Sequence, residues 1–288
     1  MEACAHVVSV RSAAVPRPGE DRSAAVTRRE DDLALGLALA DVADPITLSR
    51  FRADDLQVQT KPDLTPVTEA DHAVEQAVRE RLAAARPGEA VVGEEFGSSP
   101  ENSGRRWIID PIDGTKGYLR GMPAWATLLA LEEEGEIVVS VVSAPALQRR
   151  WWALRGGGAF VRDALGDGPR RIQVSGVEAL EDAQVSYGGL GEWRKIGRLE
   201  TLLELTARCW RSRAFGDVWS YMLVAEGSAD IGGLDPSVRL WDLAAPLLIV
   251  EEAGGQFTDF HGVTRADGGS GVATNGLLHD ATLAIVGW

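Results

Sequence analysis

The sequence predicts a layered α+β fold rather than a doubly wound parallel sheet, and three observations support this prediction. Helical and strand-like patterns alternate along the whole chain. Two pairs of strand patterns, 127–131 with 137–142 and 150–154 with 159–162, are separated by short acidic or glycine-rich turns that are typical of antiparallel hairpins. No internal repeat or low-complexity tract interrupts the alternation.

The N-terminal segment is predicted to lie outside the folded unit. Residues 1–30 mix Pro, Arg, Ala and acidic residues without a persistent apolar period, so we expect a loose tail there. From Asp31 the leucines recur in an Ala-rich run that favours a helix. A single domain is therefore expected to span residues 31–288.

The elements that follow have recognisable boundaries. Residues 56–59 alternate as a half-buried strand does, and 68–85 is predicted to be a helix. Thr68 is the expected N-cap, and Asp71, three residues later, completes a capping box. Later predictions are strands at 90–93 and 107–110, helices near 194–208 and 217–227, a strand about 230, a helix over 241–253, a strand at 256–258 and a final helix from about 277.

The composition limits the classes of partner. The 288 residues are 45% hydrophobic and 25% charged, as in ordinary globular proteins, and carry a formal net charge of -14. An acidic chain repels nucleic acid and anionic lipid, so neither is expected as a partner. The excess of carboxylates is explained either by solubility alone or by a metal site or cationic substrate.

Cysteine usage and the N-terminus predict a location. The two cysteines, Cys4 and Cys209, are far apart in the sequence, so neither a disulfide framework nor a thiolate zinc site is expected. The first residues lack a basic segment followed by an apolar core, and no apolar run is long enough for a membrane helix. These patterns predict a cytoplasmic protein.

The motif DPIDGT at 110–115 carries the strongest local signal of chemistry. It places two carboxylates, Asp110 and Asp113, directly after an apolar strand and across a proline turn. Oxygen ligands of this kind suit Mg²⁺, which also keeps positions for water and phosphate. The following Gly114 and Thr115 favour a helix start, where free backbone N–H groups attract a phosphate oxygen. An ordinary Asp-Pro turn with a capping Asp113 explains the motif equally well on its own.

Two distant acidic positions shift that balance. Glu94 ends the preceding strand, and Asp242 opens a helix about 130 residues further along the chain. Taken singly, Glu94 is typical of a rim charge and Asp242 of an acidic residue in the first turn of a helix. Four carboxylates at strand and helix ends, combined with a phosphate-ready turn, favour a metal site.

The motifs as a set resemble the inositol monophosphatase superfamily. They are GEE at 93–95, WIIDPIDGT at 107–115, WDLAA at 241–245 and EAGG at 252–255. The order and spacing match from about residue 31 to the C-terminus. Within that superfamily, the stretch from 110 to 160 is most similar to the actinobacterial type of histidinol-phosphatase.

The resemblance implies both an architecture and an activity. The implied fold is an αβαβα sandwich of the inositol monophosphatase and fructose-1,6-bisphosphatase type, in two halves of about 31–175 and 176–288. The implied enzyme is an Mg²⁺-dependent phosphomonoesterase that hydrolyses L-histidinol phosphate in histidine biosynthesis. A homodimer and two or three Mg²⁺ ions per active site are also implied.

The resemblance assigns metal ligands residue by residue. Glu94, Asp110 and the backbone carbonyl of Ile112 are implied to hold a first Mg²⁺. Asp110, Asp113 and Asp242 are implied to hold a second. Glu94 would also help to hold a weaker third ion. Two ions placed in this way serve the attacking and the departing oxygen of a phosphate ester.

The same resemblance assigns the water and the phosphate. Asp71 and Thr115 are implied to polarise the attacking water as a hydrogen-bonded pair, and Glu94 belongs with them among the catalytic residues. The phosphate is implied to bind Gly114, Thr115 and the N–H of Lys116. No phospho-enzyme intermediate is needed.

The alcohol half of the implied site contains Arg213, Asp217 and Asp235. Histidinol carries an amine and an imidazole, so the two aspartates are suitable counter-charges. Asp217 is also placed to cap the helix that follows Gly216, and the sequence leaves both roles open.

Two alternatives to this function remain open from the sequence. The first is a related small-molecule phosphatase, acting on inositol phosphate, fructose 1,6-bisphosphate or phosphoadenosine phosphate; the acidic composition disfavours the nucleotide. The second is a non-catalytic metal-binding regulatory homologue. Such proteins usually lose one of the metal-ligating acids, and all four are present here.

Overall fold

The computed structural model of the chain describes residues 22–100 and 103–288, with side chains described from residue 27 onward. The expected tail at 1–30 lies outside this range up to residue 21. Its remaining part, 22–30, is helical, so the prediction of a loose segment is wrong there. The first helix begins nine residues earlier than expected, because Ala and Arg, both strong helix formers, extend it toward the N-terminus.

The helices of the described residues lie on both sides of two sheets. In chain order they are α1 (Arg22–Arg50), α2 (Glu69–Ala85), α3 (Thr115–Leu119), α4 (Leu190–Lys195), α5 (Leu199–Arg208), α6 (Asp217–Ala225), α7 (Leu240–Glu252) and α8 (His279–Val286). A small antiparallel hairpin, β1 (Val58–Thr60) and β2 (Pro66–Thr68), connects α1 to α2.

The first sheet has eight strands and is mostly antiparallel. Its strands are β3 (Ala90–Gly93), β4 (Gly97–Ser98), β5 (Arg105–Asp113), β6 (Ala126–Glu133), β7 (Glu136–Ala144), β8 (Arg149–Leu154), β9 (Gly158–Arg162) and β10 (Arg170–Arg171), and their spatial order is β10-β9-β8-β7-β6-β5-β3-β4. Only the β3–β5 pair within this sheet is parallel. The two predicted hairpins are confirmed as β6–β7 and β8–β9.

The second sheet has five strands of mixed direction. They are β11 (Gln184–Ser186), β12 (Arg211–Arg213), β13 (Ile231–Asp235), β14 (Gln256–Thr258) and β15 (Gly271–Thr274), in the spatial order β12-β11-β13-β15-β14. The predicted division near residue 175 falls between β10 and β11, and it stays a prediction about domain organisation.

The elements stack in five layers. Helices α1 and α2 pack on one face of the first sheet around Leu39, Val78 and Trp107. Helices α6 and α7 lie between the two sheets, where α7 contacts strands of both. Helices α4, α5 and α8 cover the outer face of the second sheet around Trp193 and Phe260. The predicted αβαβα sandwich is confirmed.

Individual elements show where the sequence patterns were sufficient. The capping box of α2 is confirmed: the Thr68 hydroxyl accepts from the N–H groups of Ala70 and Asp71, and Asp71 accepts from the N–H of Thr68. The single helix predicted near 194–208 is wrong, because Gly197 adopts a left-handed conformation (φ 74°) between α4 and α5. The short strands β11, β12 and β15 carry no alternating pattern that predicts them.

Among the residues that the structure describes, no helix is both long enough and apolar enough to cross a membrane.

A buried histidine makes the stability of this fold depend on pH. His279 is 1% exposed and its ring nitrogens lie 3.0 Å from Thr258 Oγ1 and 3.1 Å from Thr274 Oγ1. Burial lowers the pKa of His279 to about 4. The neutral ring therefore stabilises the fold fully above the unfolded pKa of about 6.5, and this contribution is lost as the pH falls toward 4.

We expect His279→Gln to be less stable than the wild type at pH 7.5, with a difference that narrows by about 2 kcal/mol as the pH falls to 4.5. Urea unfolding of both proteins across this pH range measures the difference. A difference that stays constant with pH would show that the ring is not held neutral by burial.

Candidate active site

The end of strand β5 presents two carboxylates close together. Asp110 pairs with Leu128 and Asp113 with Ala126, and the register shifts between them. Such a bulge re-aims side chains at the end of a strand. Asp110 Oδ1 accepts a hydrogen bond from the N–H of Ile112 at 3.0 Å, which fixes the turn. The sequence motif therefore folds into a rigid platform.

Helix α7 brings a third carboxylate to this platform. Asp242 lies in its first turn and accepts a hydrogen bond from the N–H of Arg239 at 2.7 Å. One carboxylate oxygen each of Asp110, Asp113 and Asp242 lies within 4.8 Å of the other two. The structure thus brings together three of the predicted metal ligands from positions about 130 residues apart in the sequence.

These carboxylates are held in close, buried proximity. The pKa values of Asp110 and Asp113 lie well above the usual range, first because of burial and then because of neighbouring carboxylates. The pKa of Asp242 is raised to about 6 by burial, with Glu94 and Asp217 adding to the effect. Like charges crowded in this way favour either protonation or a bound cation. The donor set, all carboxylate oxygen, fits a hard divalent ion.

Glu94 lies beside the cluster but is not part of it. Its charge raises the pKa of Asp110 and Asp242, so it is a close neighbour of both. Its own carboxylate accepts a hydrogen bond from Lys61 Nζ at 2.6 Å, and the same ammonium group lies 2.7 Å from Glu95 Oε1. Lys61 follows β1, and its ammonium group lies beside Glu94. Sequence reasoning missed this lysine, because nothing local marks it.

The predicted water-polarising pair is close but loosely connected. Thr115 Oγ1 lies 3.5 Å from Asp71 Oδ1, and it donates to the carbonyl of Ile112 at 2.9 Å. Asp71 Oδ2 accepts from both the N–H and the hydroxyl of Thr68. Burial raises the pKa of Asp71 to about 6, with Glu94 adding to the effect. The Ile112 carbonyl, a predicted ligand, points toward the same hydroxyl.

The predicted start of a helix at Gly114 and Thr115 is confirmed, and phosphate binding there stays a prediction. Gly114 is the N-cap of α3 in a left-handed conformation (φ 83°), which favours glycine. Thr115 and Lys116 are the first two residues of this helix, and the first N–H groups of any helix lack intrahelical acceptors. Lys116 is exposed.

Asp217 reaches over this turn from helix α6. Its carboxylate oxygen would lie 3.1 Å from a Cβ at Gly114. Asp217 has a positive φ of 46°, which is uncommon outside glycine. The residue is solvent-exposed, although the partial burial of its carboxyl raises the pKa, with Glu192 adding to the effect and Lys116 opposing it. Gly216, not Asp217, is the N-cap, which removes the capping role as an explanation.

Asp235 lies on the same side of the site, at the end of β13. The register of β13 against β15 shifts between Gly233 and Asp235, and Leu234 between them has a φ of 56°. Burial raises the pKa of Asp235 to about 8, opposed by a hydrogen bond that Tyr221 donates and assisted by nearby carboxylates, including that of Glu192. Two residues that the sequence analysis did not assign to the site, Tyr221 and Glu192, therefore act on it.

Arg213, the remaining predicted substrate residue, bonds to its own strand. It is exposed on β12, and its guanidinium donates to the carbonyl of Ser212 at 2.7 Å. Within the described part of the chain, no hydrogen bond or ion pair joins it to Asp217 or Asp235. The structure therefore brings the two predicted aspartates together but not the arginine, whose role stays a prediction.

Comparison with known proteins places this geometry in a family context. The profile of the inositol monophosphatase family matches residues 29–287. The histidinol-phosphatase of Mycobacterium tuberculosis is 56% identical over 88% of this chain and 96% of its own length. That of Streptomyces coelicolor is 52% identical over 88% and 96%. The solved structure of the extragenic suppressor protein suhB from Bartonella henselae has a TM-score of 0.80 at 30% identity, covering 91% of this chain and 98% of its own. These similarities confirm the expected resemblance.

The carboxylate cluster should oppose folding in the absence of a cation. In EDTA we expect Asp110→Asn to raise the melting temperature by roughly 3–6 °C, because it relieves repulsion among buried carboxylates. Addition of MgCl₂ should raise the melting temperature of the wild type. The increase in melting temperature of the variant should be at most about half as large. Differential scanning calorimetry with and without MgCl₂ measures both quantities.

Asp54→Asn, which alters an exposed aspartate on the loop after α1, is the matched control. It should leave both melting temperatures unchanged. A destabilised Asp110→Asn protein in EDTA, or an equal Mg²⁺ effect on variant and wild type, would contradict the cluster as a cation site.

Proposed function

Since the chain belongs to the inositol monophosphatase family, we propose that it is an Mg²⁺-dependent phosphomonoesterase that hydrolyses L-histidinol phosphate to L-histidinol and phosphate. The observation that carries this proposal is the position of the three clustered carboxylates directly beside the Gly114 turn. A second set of acidic side chains, Asp217 and Asp235, lies near enough for its charges to raise the pKa of Asp113, and Asp217 also borders the Gly114 turn. One end of the site thus suits metal and phosphate, and the other suits a cationic alcohol.

The residues at the phosphate end have distinct roles in this proposal. Asp110, Asp113 and Asp242 would hold Mg²⁺, with Glu94 joining them when Lys61 releases it. Bound Mg²⁺ supplies Lewis-acid stabilisation of the charge that develops on the phosphate oxygens. The number of ions, two or three, is taken from the family resemblance alone.

The chain itself would manage the proton and the phosphate. The carboxylate of Asp71 would accept the proton of the attacking water directly, or Thr115 would take that proton and pass its own hydroxyl proton to Asp71 Oδ1, giving up its hydrogen bond to the Ile112 carbonyl. Its neighbours Thr68 and Ile112 hold this pair in place. The N–H groups at the start of α3 orient the phosphate, as the helix start does for other anions.

The acidic alcohol side supports a cationic substrate. Histidinol phosphate carries an ammonium group, and Asp217 and Asp235, which lie near enough to each other for the charge of Asp217 to raise the pKa of Asp235, would provide the opposite charge. The raised pKa values of both groups indicate carboxyls that gain from a cation nearby. Two relatives that are 52–56% identical bear the name histidinol-phosphatase, which supports the same substrate. We also propose a homodimer, which the family resemblance implies, and a cytoplasmic location, which the cysteine usage of the chain supports.

The decisive experiment is Mg²⁺-dependent phosphate release from four esters: histidinol phosphate, inositol 1-phosphate, fructose 1,6-bisphosphate and phosphoadenosine phosphate. We expect kcat/KM for histidinol phosphate to exceed the others by at least about a hundredfold. Asp110→Asn, tested in parallel, should lose nearly all turnover while remaining folded. A flat profile, or a different preferred ester, would refute the substrate and retain the phosphatase. Turnover without added metal would refute the mechanism.

Asp217→Ala should affect substrates according to their charge. We expect KM for histidinol phosphate to rise by about tenfold, because a counter-charge to the ammonium group is lost. KM for glycerol 2-phosphate, whose alcohol carries no charge, should change less than about twofold. Steady-state kinetics on both esters measure the difference. Asp182→Ala, an exposed aspartate outside the site, is the control and should change neither value. An equal effect of Asp217→Ala on both esters would exclude a direct contact with the ammonium group.

A further inference from the structure

Tyr221 lies directly beneath the alcohol side of the site. It belongs to α6, is 2% exposed, and packs its ring against Phe257 with the ring centroids 5.6 Å apart. Its hydroxyl donates a hydrogen bond to Asp235 Oδ2 at 2.8 Å. A Cβ at either Gly233 or Gly271 would lie 2.7 Å from that hydroxyl. The two glycines therefore form a slot that holds the phenol in one position.

This hydrogen bond engages one oxygen of the Asp235 carboxylate and leaves the other for a second contact. The phenol can donate one hydrogen bond, and Oδ2 accepts it. The other oxygen, Oδ1, faces Gly188, where an added Cβ would lie only 2.6 Å away. The bulge at Leu234 turns the aspartate in this direction, and strained backbone of this kind is typical of functional sites.

Gly188 also lies next to the turn that precedes Asp217. A Cβ at Gly216, the residue before Asp217, would lie 3.7 Å from the Gly188 Cα. The turn after β11 and the turn before α6 are joined by a hydrogen bond from the N–H of Gly216 to the carbonyl of Tyr187 at 3.1 Å. Gly188 itself does not have a positive φ, so its backbone conformation does not require glycine. The requirement there is space.

We propose that Tyr221 is a positioning residue that presents Asp235 Oδ1 to the ammonium group of the substrate, in a space that Gly188 keeps free of side-chain atoms. The inference rests on the proposed function, and it adds the residue that orients the counter-charge and the residue that makes room for the cation. The class of substrate is an alcohol phosphate with a protonated amine near the ester. The hydrogen bond from Tyr221 fixes one oxygen, so that the second meets the cation without a loss of side-chain entropy on binding.

A structural role alone accounts for part of this geometry. A buried tyrosine hydroxyl needs a partner, and Asp235 is one. That role does not explain why the second oxygen faces Gly188, where, among the described residues beyond the two chain neighbours, an added Cβ would meet only atoms of Asp235 within 4 Å. The two roles differ in their consequences: a structural defect affects all substrates alike, whereas a displaced counter-charge affects only those with an amine.

The test compares three esters: histidinol phosphate and phosphoethanolamine, which carry an amine, and glycerol 2-phosphate, which does not. For Tyr221→Phe we expect KM for both amine esters to rise about five- to tenfold with kcat within about twofold. Neither constant should change for glycerol 2-phosphate. Inhibition by the product L-histidinol should weaken by the same factor, and inhibition by inorganic phosphate should not change.

Gly188→Ala tests the same contact without altering the buried core, so it decides the matter even if Tyr221→Phe does not fold. The methyl group would lie against Asp235 Oδ1, and we expect the same selective rise in KM for the amine esters. Gly176→Ala is its control, because an added Cβ there meets nothing within 4 Å. Tyr118→Phe controls for the loss of a buried tyrosine hydrogen bond, which Tyr118 makes to the carbonyl of Thr47 at 2.7 Å.

Each result has one meaning. Equal effects of Tyr221→Phe and Gly188→Ala on amine and neutral esters, or no effect of Gly188→Ala on any ester, would overturn the inference and leave the proposed function intact. A wild-type enzyme that prefers neither amine ester to glycerol 2-phosphate would overturn both. A selective loss on the amine esters alone supports the inference.

Discussion

Repulsion among buried carboxylates is the constraint on which the rest of this structure depends. Asp110, Asp113 and Asp242 are held with one oxygen of each within 4.8 Å of the others, and their pKa values are raised by burial and by one another. Such an arrangement opposes folding, so it persists only where the packing of rigid elements holds the carboxylates together. Here a bulged strand end and the start of a buried helix impose it, and a cation relieves the repulsion when it binds.

The middle layer of helices supplies this rigidity. Helix α7 packs against both sheets and carries Asp242, while α6 carries Asp217 and Tyr221 in the same layer. The N–H of Val218 at the start of α6 donates to Asp113 Oδ2 at 2.7 Å. This bond connects the carboxylate platform of the first sheet to the helix that borders the alcohol side. The site therefore forms where the two sheets meet across their shared helices.

The charge of the site changes in character from one end to the other. At the metal end, Lys61 bonds to Glu94 and Glu95 and supplies a positive charge from within the chain. At the proposed alcohol end, the hydroxyl of Tyr221 donates a hydrogen bond to Asp235, and Asp217 has Lys116 as a nearby cation. A substrate with phosphate at one end and an ammonium group at the other matches this distribution. The excess of carboxylates in the chain is therefore partly concentrated at this site.

The sequence by itself predicted the layered fold from its two hairpins, the capping box of α2 and the acidic turn at 110–115, because each of these features depends on residues that are close together along the chain. It also indicated Glu94 and Asp242 by their positions at the end of a strand and the start of a helix, and the family resemblance then assigned them as metal ligands. Tertiary structure alone decided that Lys61 bonds to Glu94, that Tyr221 donates a hydrogen bond to Asp235 and that Arg213 bonds to the carbonyl of Ser212. The first two of these contacts join residues distant in sequence, and short strands such as β11 and β15 carry no pattern that foretells them. Local patterns report which face of an element is apolar; which distant side chain meets that element is set only when the layers pack.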